Sequence, residues 1–90
     1  MTAKAIAMQN VGQLSDAELI STAISGREAS FEEIVRRYQR PIVSYIYRML
    51  GNQDSALDVS QEVFIKVYNS LSKYSSEYKF STWLYKIAHN

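Results

Sequence analysis

Leu57-Asp58-Val59-Ser60-Gln61-Glu62-Val63-Phe64-Ile65-Lys66-Val67-Tyr68-Asn69 is the stretch that decides the fold. Turned through about 100° per residue as an α-helix, it gathers Leu57, Ser60, Val63, Phe64, Val67, Tyr68 and Leu71 on one face. Asp58, Gln61, Glu62, Ile65 and Asn69 fall on the other. The first face is a core stripe. The second carries acceptor side chains at i, i+3 and i+4 with an apolar Ile one turn on, a pattern that reads as a docking surface for a partner.

Outward from this helix the same periodicity recurs. Upstream, Leu14-Ser15-Asp16-Ala17-Glu18-Leu19 holds a capping box, Ser15 as N-cap and Glu18 at N3, with Leu14 and Leu19 placed as a hydrophobic staple. Gly26 supplies the stop for that helix. Ser30-Phe31-Glu32-Glu33 repeats the device and predicts that a second helix opens at Ser30. Its stripe is Phe31, Ile34, Val35, Tyr38, Ile42, Tyr45, Ile46, Met49 and Leu50, and it stays in phase across Pro41, so one kinked helix is expected up to Gly51-Asn52. The central helix is expected to open near Asp54 or Ser55, with Asp58 answering Ser55, and to run to Leu71 or Ser72.

Downstream, Lys73-Tyr74-Ser75-Ser76-Glu77-Tyr78-Lys79 has no apolar period and reads as a loop. A last helix starts near Phe80, its stripe Phe80, Trp83, Leu84, Ile87 and Ala88. It carries no stop signal before Asn90, as expected of a piece of a longer chain. Residues 1 to 13 show no periodicity and are expected to be a flexible N-terminus ahead of a helical domain over 14 to 90. Four helices with short connections and no strand signal predict an all-α, compact bundle.

Composition narrows the function. Ninety residues suffice for one domain. Without cysteine there is no disulfide framework, thiolate metal site or cysteine nucleophile, which fits a reducing, cytoplasmic setting. No signal peptide pattern or long apolar run predicts membrane insertion. Nor is there a Gly-rich phosphate loop, and the single His has no Glu three residues before it. Asp54, Asp58 and Glu62 line up at i, i+4 and i+8 but lack a Glu-x-x-His motif, so an enzyme, a metal site and a cofactor are not expected.

The net charge of +1 conceals a polarity. Six Lys/Arg face eight Asp/Glu from Met1 to Val63, whereas Lys66, Lys73, Lys79 and Lys86 face Glu77 alone beyond it. The C-terminal third is therefore the side suited to a polyanion. Trp83 lies in the apolar stripe and reads as core, and Arg36, Arg37 and Arg40 read as a solvated helix face.

Four segments in order, Phe31-Glu32-Glu33-Ile34-Val35-Arg36-Arg37-Tyr38, Tyr47-Arg48-Met49-Leu50-Gly51-Asn52, Leu57 to Phe64, and Phe80 to Asn90, resemble the second conserved domain of bacterial sigma factors. The likeness is greatest to the extracytoplasmic-function group, and it extends from about residue 15 to the end. A second DNA-binding domain, which in that family reads the −35 element, has no counterpart in this sequence. The resemblance implies that Asp58, Gln61 and Glu62 dock on the clamp helices of the RNA polymerase β′ subunit; Ile65 and Asn69 continue the same line of the helix and are placed to extend the contact.

It further implies that the loop and the last helix open and read the promoter −10 element, capturing an unstacked base of the non-template strand. The matching residues are Lys73, Tyr74, Ser75, Ser76, Tyr78 and Lys79 in the loop and Tyr85, Lys86, His89 and Asn90 on the helix. Aromatic planes for stacking and cations for phosphate are what single-stranded DNA requires. Tyr74-Ser75-Ser76 stands where the family commonly has a Phe-Arg-Gly-like triplet, which leaves base identity open. An anti-sigma factor is a further partner the family implies. On the residues alone a second reading stays open: a helical protein interaction module with an acidic-apolar docking face and no DNA role.

Overall fold

The structure, a computed structural model, describes residues 10 to 90. Most of the expected flexible segment lies outside the described residues. Its last part is a 3-10 turn, Val11–Gln13, whose N-cap Asn10 accepts from the Gly12 N–H at 2.9 Å.

Helix α1, Asp16–Ile24, starts on the Ser15 capping box, with both arms made: Ser15 N–H to Glu18 Oε1 at 2.9 Å and Glu18 N–H to Ser15 Oγ at 3.2 Å. Leu14 and Leu19 are both buried, as a staple requires. The helix ends in a Schellman turn, Arg27 N–H to Thr22 O and Gly26 N–H to Ala23 O, each 3.0 Å. That turn needs Gly26 at φ 103°, a conformation other residues adopt only under strain.

Helix α2 is Glu28–Leu50, so it opens two residues before Ser30 and the expected serine cap is not formed. Ser30 is instead fully buried on the α1 side, its hydroxyl 2.6 Å from that of Thr22. The Schellman turn delivers the chain straight into the new helix, and a tertiary partner claims the hydroxyl that a cap would have used. The helix runs unbroken through Pro41, which is exposed, so water can replace the backbone bond its missing N–H removes. Gly51, at φ 71°, closes it with its N–H on Tyr47 O at 2.7 Å.

Helix α3, Gln53–Ser70, is capped by Asn52, whose side chain accepts from Ser55 N–H at 2.9 Å, and not by Ser55 or Asp54. A 3-10 turn, Leu71–Lys73, continues it. The buried stripe is Ala56, Ser60, Val63, Phe64, Val67 and Leu71. Leu57 and Tyr68, expected in that stripe, are 37% and 57% exposed, because they stand at its margin some 60–80° from its centre at Ser60. Met49 and Leu50 are likewise exposed, on the last turn of α2, where no described helix covers them.

Helix α4, Phe80–His89, buries Phe80, Leu84 and Ala88 and half-buries Trp83 and Ile87. The long α2 is the spine: α1 and α3 pack along it, and α4 closes against α3 and α2. Among the described residues the result is the expected all-α bundle of four helices, 46 × 24 × 18 Å. No described helix is long and apolar enough to cross a membrane.

Candidate nucleic-acid and partner interface

Asp58, Gln61, Glu62, Ile65 and Asn69 are all exposed along the outer side of α3, as the helical spacing predicts. Among the described residues neither Asp58 nor Glu62 is engaged in an ion pair, so their acceptor oxygens are unspent. The sequence did not reveal what lies beside them. Phe31, Val35 and Gln39 of α2 and Gln61, Phe64 and Ile65 of α3 line a mostly apolar trough of about 410 Å³. Tyr68 forms its lip, edge-on to Phe31 with ring centroids 4.9 Å apart. An acidic rim beside an apolar trough suits a partner carrying both a cation and an apolar anchor.

The loop after α3 is built around Tyr74. Its ring meets Phe80 edge-on at 5.4 Å and Trp83 at 5.3 Å, and its hydroxyl donates to the Tyr78 carbonyl. Tyr74 is therefore half-buried and acts as the pillar of the loop. Tyr78, 62% exposed, is the ring of this segment that stands open to solvent. Lys73, Ser75, Ser76 and Lys79 are exposed around it, and Ser75 Oγ accepts from Glu77 N–H at 3.3 Å. On α4, Tyr85 is half-buried with its ring edge-on to Tyr45 at 5.2 Å, and Tyr45 Oη lies 3.2 Å from His89 Nδ1. Lys86 and Asn90 are exposed. The loop cations and Tyr78 are thus each exposed to solvent, while the rings of Tyr74 and Tyr85 are partly spent on packing.

Between this loop and α1 opens a cavity of about 670 Å³. Tyr74, Ser76 and Lys79 form one wall, Asp16 and Ile20 the other, and Tyr38 the floor. Aromatic and aliphatic surface, a hydroxyl, an ammonium and a carboxylate together suit a flat polar heterocycle. The contribution of α1 was invisible in the sequence, since Asp16 there reads only as a first-turn helix acid.

That α1 wall is anchored by Arg37, which the sequence pattern placed on a solvated face. The correction is large. Its guanidinium binds Asp16 at 3.1 Å and Glu33 at 2.9 Å and donates to the carbonyls of Val11, Gly12 and Leu14 at 3.3, 3.2 and 2.7 Å. Glu33, buried at 6% exposure, also accepts from Arg36 Nε at 2.9 Å. Hydrogen bonds from Arg36 and then Arg37 hold the Glu33 carboxyl below its usual range, against the opposing effect of its burial. Tyr38 donates to Asp16, and burial first, then that bond, pushes its phenol up to about 12. No cluster of His, Cys, Asp or Glu among the described residues is arranged to hold a metal ion.

The chain is similar to several proteins of one kind. It is 45% identical over 65 residues to the ECF RNA polymerase sigma factor SigW of Bacillus subtilis, covering 72% of this chain and 35% of that protein. To the ECF RNA polymerase sigma-E factor of Escherichia coli K12 it is 38% identical over 78 residues, 87% of this chain and 40% of the other. The chain thus spans well under half the length of these relatives. Among solved structures it resembles an engineered region 2 of sigmaE determined by NMR in complex with GTAAAA, with TM-score 0.79 and 41% identity, covering 87% of this chain and 81% of that one. The family pattern described as Sigma-70 region 2 matches residues 34–90, and the chain belongs to that family, as a region 2 domain similar to those of ECF sigma factors.

Proposed function

We propose that this domain docks on the β′ clamp helices of core RNA polymerase through Asp58, Gln61, Glu62, Ile65 and Asn69, and holds the melted −10 element at its other functional surface. Lys73, Lys79 and Lys86 take the phosphates of the non-template strand, Tyr78 offers a stacking plane, and the cavity between α1 and the loop receives one unstacked base. Ser75, Ser76, Tyr85, His89 and Asn90 flank that path, and Tyr74 holds the loop in shape. The reading places the protein in the cytoplasm with the polymerase, where an anti-sigma factor can compete for the same surfaces.

The observation that carries it is the row of unspent acceptors on α3 beside an apolar trough, on a domain whose similar solved structure holds GTAAAA. Extracting a base from the stack costs a few kcal/mol, which the loop cations and the cavity wall offset. The test is association with core polymerase: Asp58→Ala combined with Gln61→Ala is expected to abolish pull-down while leaving helicity intact. Normal pull-down by that variant refutes the docking row. Binding to single-stranded −10 oligonucleotides should weaken steadily with salt, and salt-indifferent binding refutes the phosphate contacts in favour of a plain protein interaction module.

A further inference from the structure

The cavity between α1 and the loop contains one group for which a DNA backbone has no use. Asp16, on the first turn of α1, lines it across from Lys79, with its side chain 38% exposed. A carboxylate repels phosphate, so an acid placed there works against the grip on the strand unless it meets a base. Its orientation is fixed from behind. Arg37 donates to Oδ1 at 3.1 Å, and the Tyr38 hydroxyl donates to Oδ2. Arg37 is itself held by Glu33 and by the carbonyls of Val11, Gly12 and Leu14. Burial raises the Tyr38 phenol to about 12, so it remains a donor throughout the neutral range. An ionised carboxylate only accepts, and here each of its oxygens already serves one partner.

We propose that Asp16 reads the exocyclic amine of the captured base, admitting adenine or cytosine and rejecting thymine and guanine, with Arg37 and Tyr38 as the residues that position it. The inference rests on the base-capture reading above and narrows it. Adenine N6 and cytosine N4 each offer an amine beside a ring nitrogen that only accepts, so a single acceptor answers it. Lys79 on the facing wall supplies a donor for an acceptor on the base's other edge. Thymine has no amine, and carbonyl oxygens flank its one ring N–H and would face the carboxylate. Guanine presents two adjacent donors, N1–H and N2–H, which call for both carboxylate oxygens at once, and Arg37 and Tyr38 already hold those. The triplet Tyr74-Ser75-Ser76 makes no such distinction: the Tyr74 hydroxyl is spent on the Tyr78 carbonyl, and serine hydroxyls donate or accept alike.

The test is fluorescence anisotropy of the 90-residue chain with single-stranded GTAAAA, the sequence held by the similar region 2, and with variants carrying each base in turn at every position. One position should accept adenine and cytosine and lose about tenfold or more with guanine or thymine. Unsubstituted purine, which is adenine without its amine, should lose as much there. Asp16→Asn, whose amide donates as well as accepts, should erase the preference and raise thymine and guanine relative to adenine, with the salt dependence unchanged. Tyr38→Phe keeps the charge of Asp16 but frees one oxygen, and should raise guanine at that position alone. A weakened fold lowers binding of every oligonucleotide together and leaves these ratios where they were. Discrimination that survives both substitutions therefore overturns the inference while base capture stands, and so does a position at which the parent chain prefers guanine or thymine. If no position discriminates in the parent chain, base capture and its selectivity fail together. Should Asp16→Asn not fold, the guanine response of Tyr38→Phe decides the matter.

Discussion

Phe80 joins the bundle core to the proposed DNA loop, and its removal tests how far the two depend on each other. The side chain is 6% exposed, with its ring 5.5 Å from Tyr38, 5.4 Å from Tyr74 and 5.8 Å from Trp83. Truncation to Ala withdraws about 150 Å² of buried apolar surface, worth about 4 kcal/mol at 25 cal/mol per Å². The edge-on contacts to Tyr38 and Tyr74 add about 0.5–1.5 kcal/mol each, and partial collapse of Tyr74 into the space returns some of that. The expected loss is about 4–5 kcal/mol, against a total of roughly 5 to 13 kcal/mol for a domain of this size. Urea unfolding followed by circular dichroism should show the midpoint falling by ~2 M or more. Trp83, the one tryptophan, should change its emission in the native baseline before unfolding begins, because it loses a ring partner there. Phe80→Leu should cost markedly less. A loss below ~1.5 kcal/mol for Phe80→Ala would refute the account of this ring as the anchor of the loop.

Three further outcomes follow from the helix junctions. The Glu33 carboxyl is held low, so its contribution is complete above its ordinary value of 4.5 and is lost as pH falls through the depressed folded value. Glu33→Gln should therefore flatten the acid limb of stability against pH, measured by denaturation midpoints, and an unchanged limb would contradict the ion network. Tyr38 has the opposite sign: its phenol is raised from 10.0 to about 12, so its contribution is whole below pH 10 and disappears as pH rises through 12. Tyrosinate absorbance in Tyr38→Phe should lose one late-titrating phenol. Asn52→Ala removes the α3 cap and should cost about 1 kcal/mol, while Ser55→Ala, at the position the sequence favoured, should cost markedly less.

What the sequence disclosed depended on how far apart the cooperating residues lie. The Ser15 capping box and the α3 acceptor row were legible because each is a pattern within one helix, spaced by one or two turns. Ser30 misled because the same local pattern was overridden by Thr22, eight residues away across the α1–α2 turn. Arg37 misled more deeply: its role depends on the carbonyls of Val11, Gly12 and Leu14, more than twenty residues distant, and backbone acceptors leave no mark in sequence. The same reason hides the trough and the cavity, each made by a pair of elements. Tyr74 looked like a free stacking ring because its partners Phe80 and Trp83 are brought under it only when α4 folds back.

The hydroxyl pair at the α1–α2 turn has a direction. Thr22 has one hydrogen and reaches the carbonyl of Glu18 at 2.8 Å, so the short contact to Ser30 is donated from the serine side. The turn is thus a relay in which α2 gives and α1 receives, and its two members are not interchangeable. Deleting the giver, as in Ser30→Ala, empties a lone pair and little else. Deleting the receiver, as in Thr22→Val, strands a buried donor at about 1–3 kcal/mol, so tolerance to change at this elbow is lopsided, with helix one the stricter half.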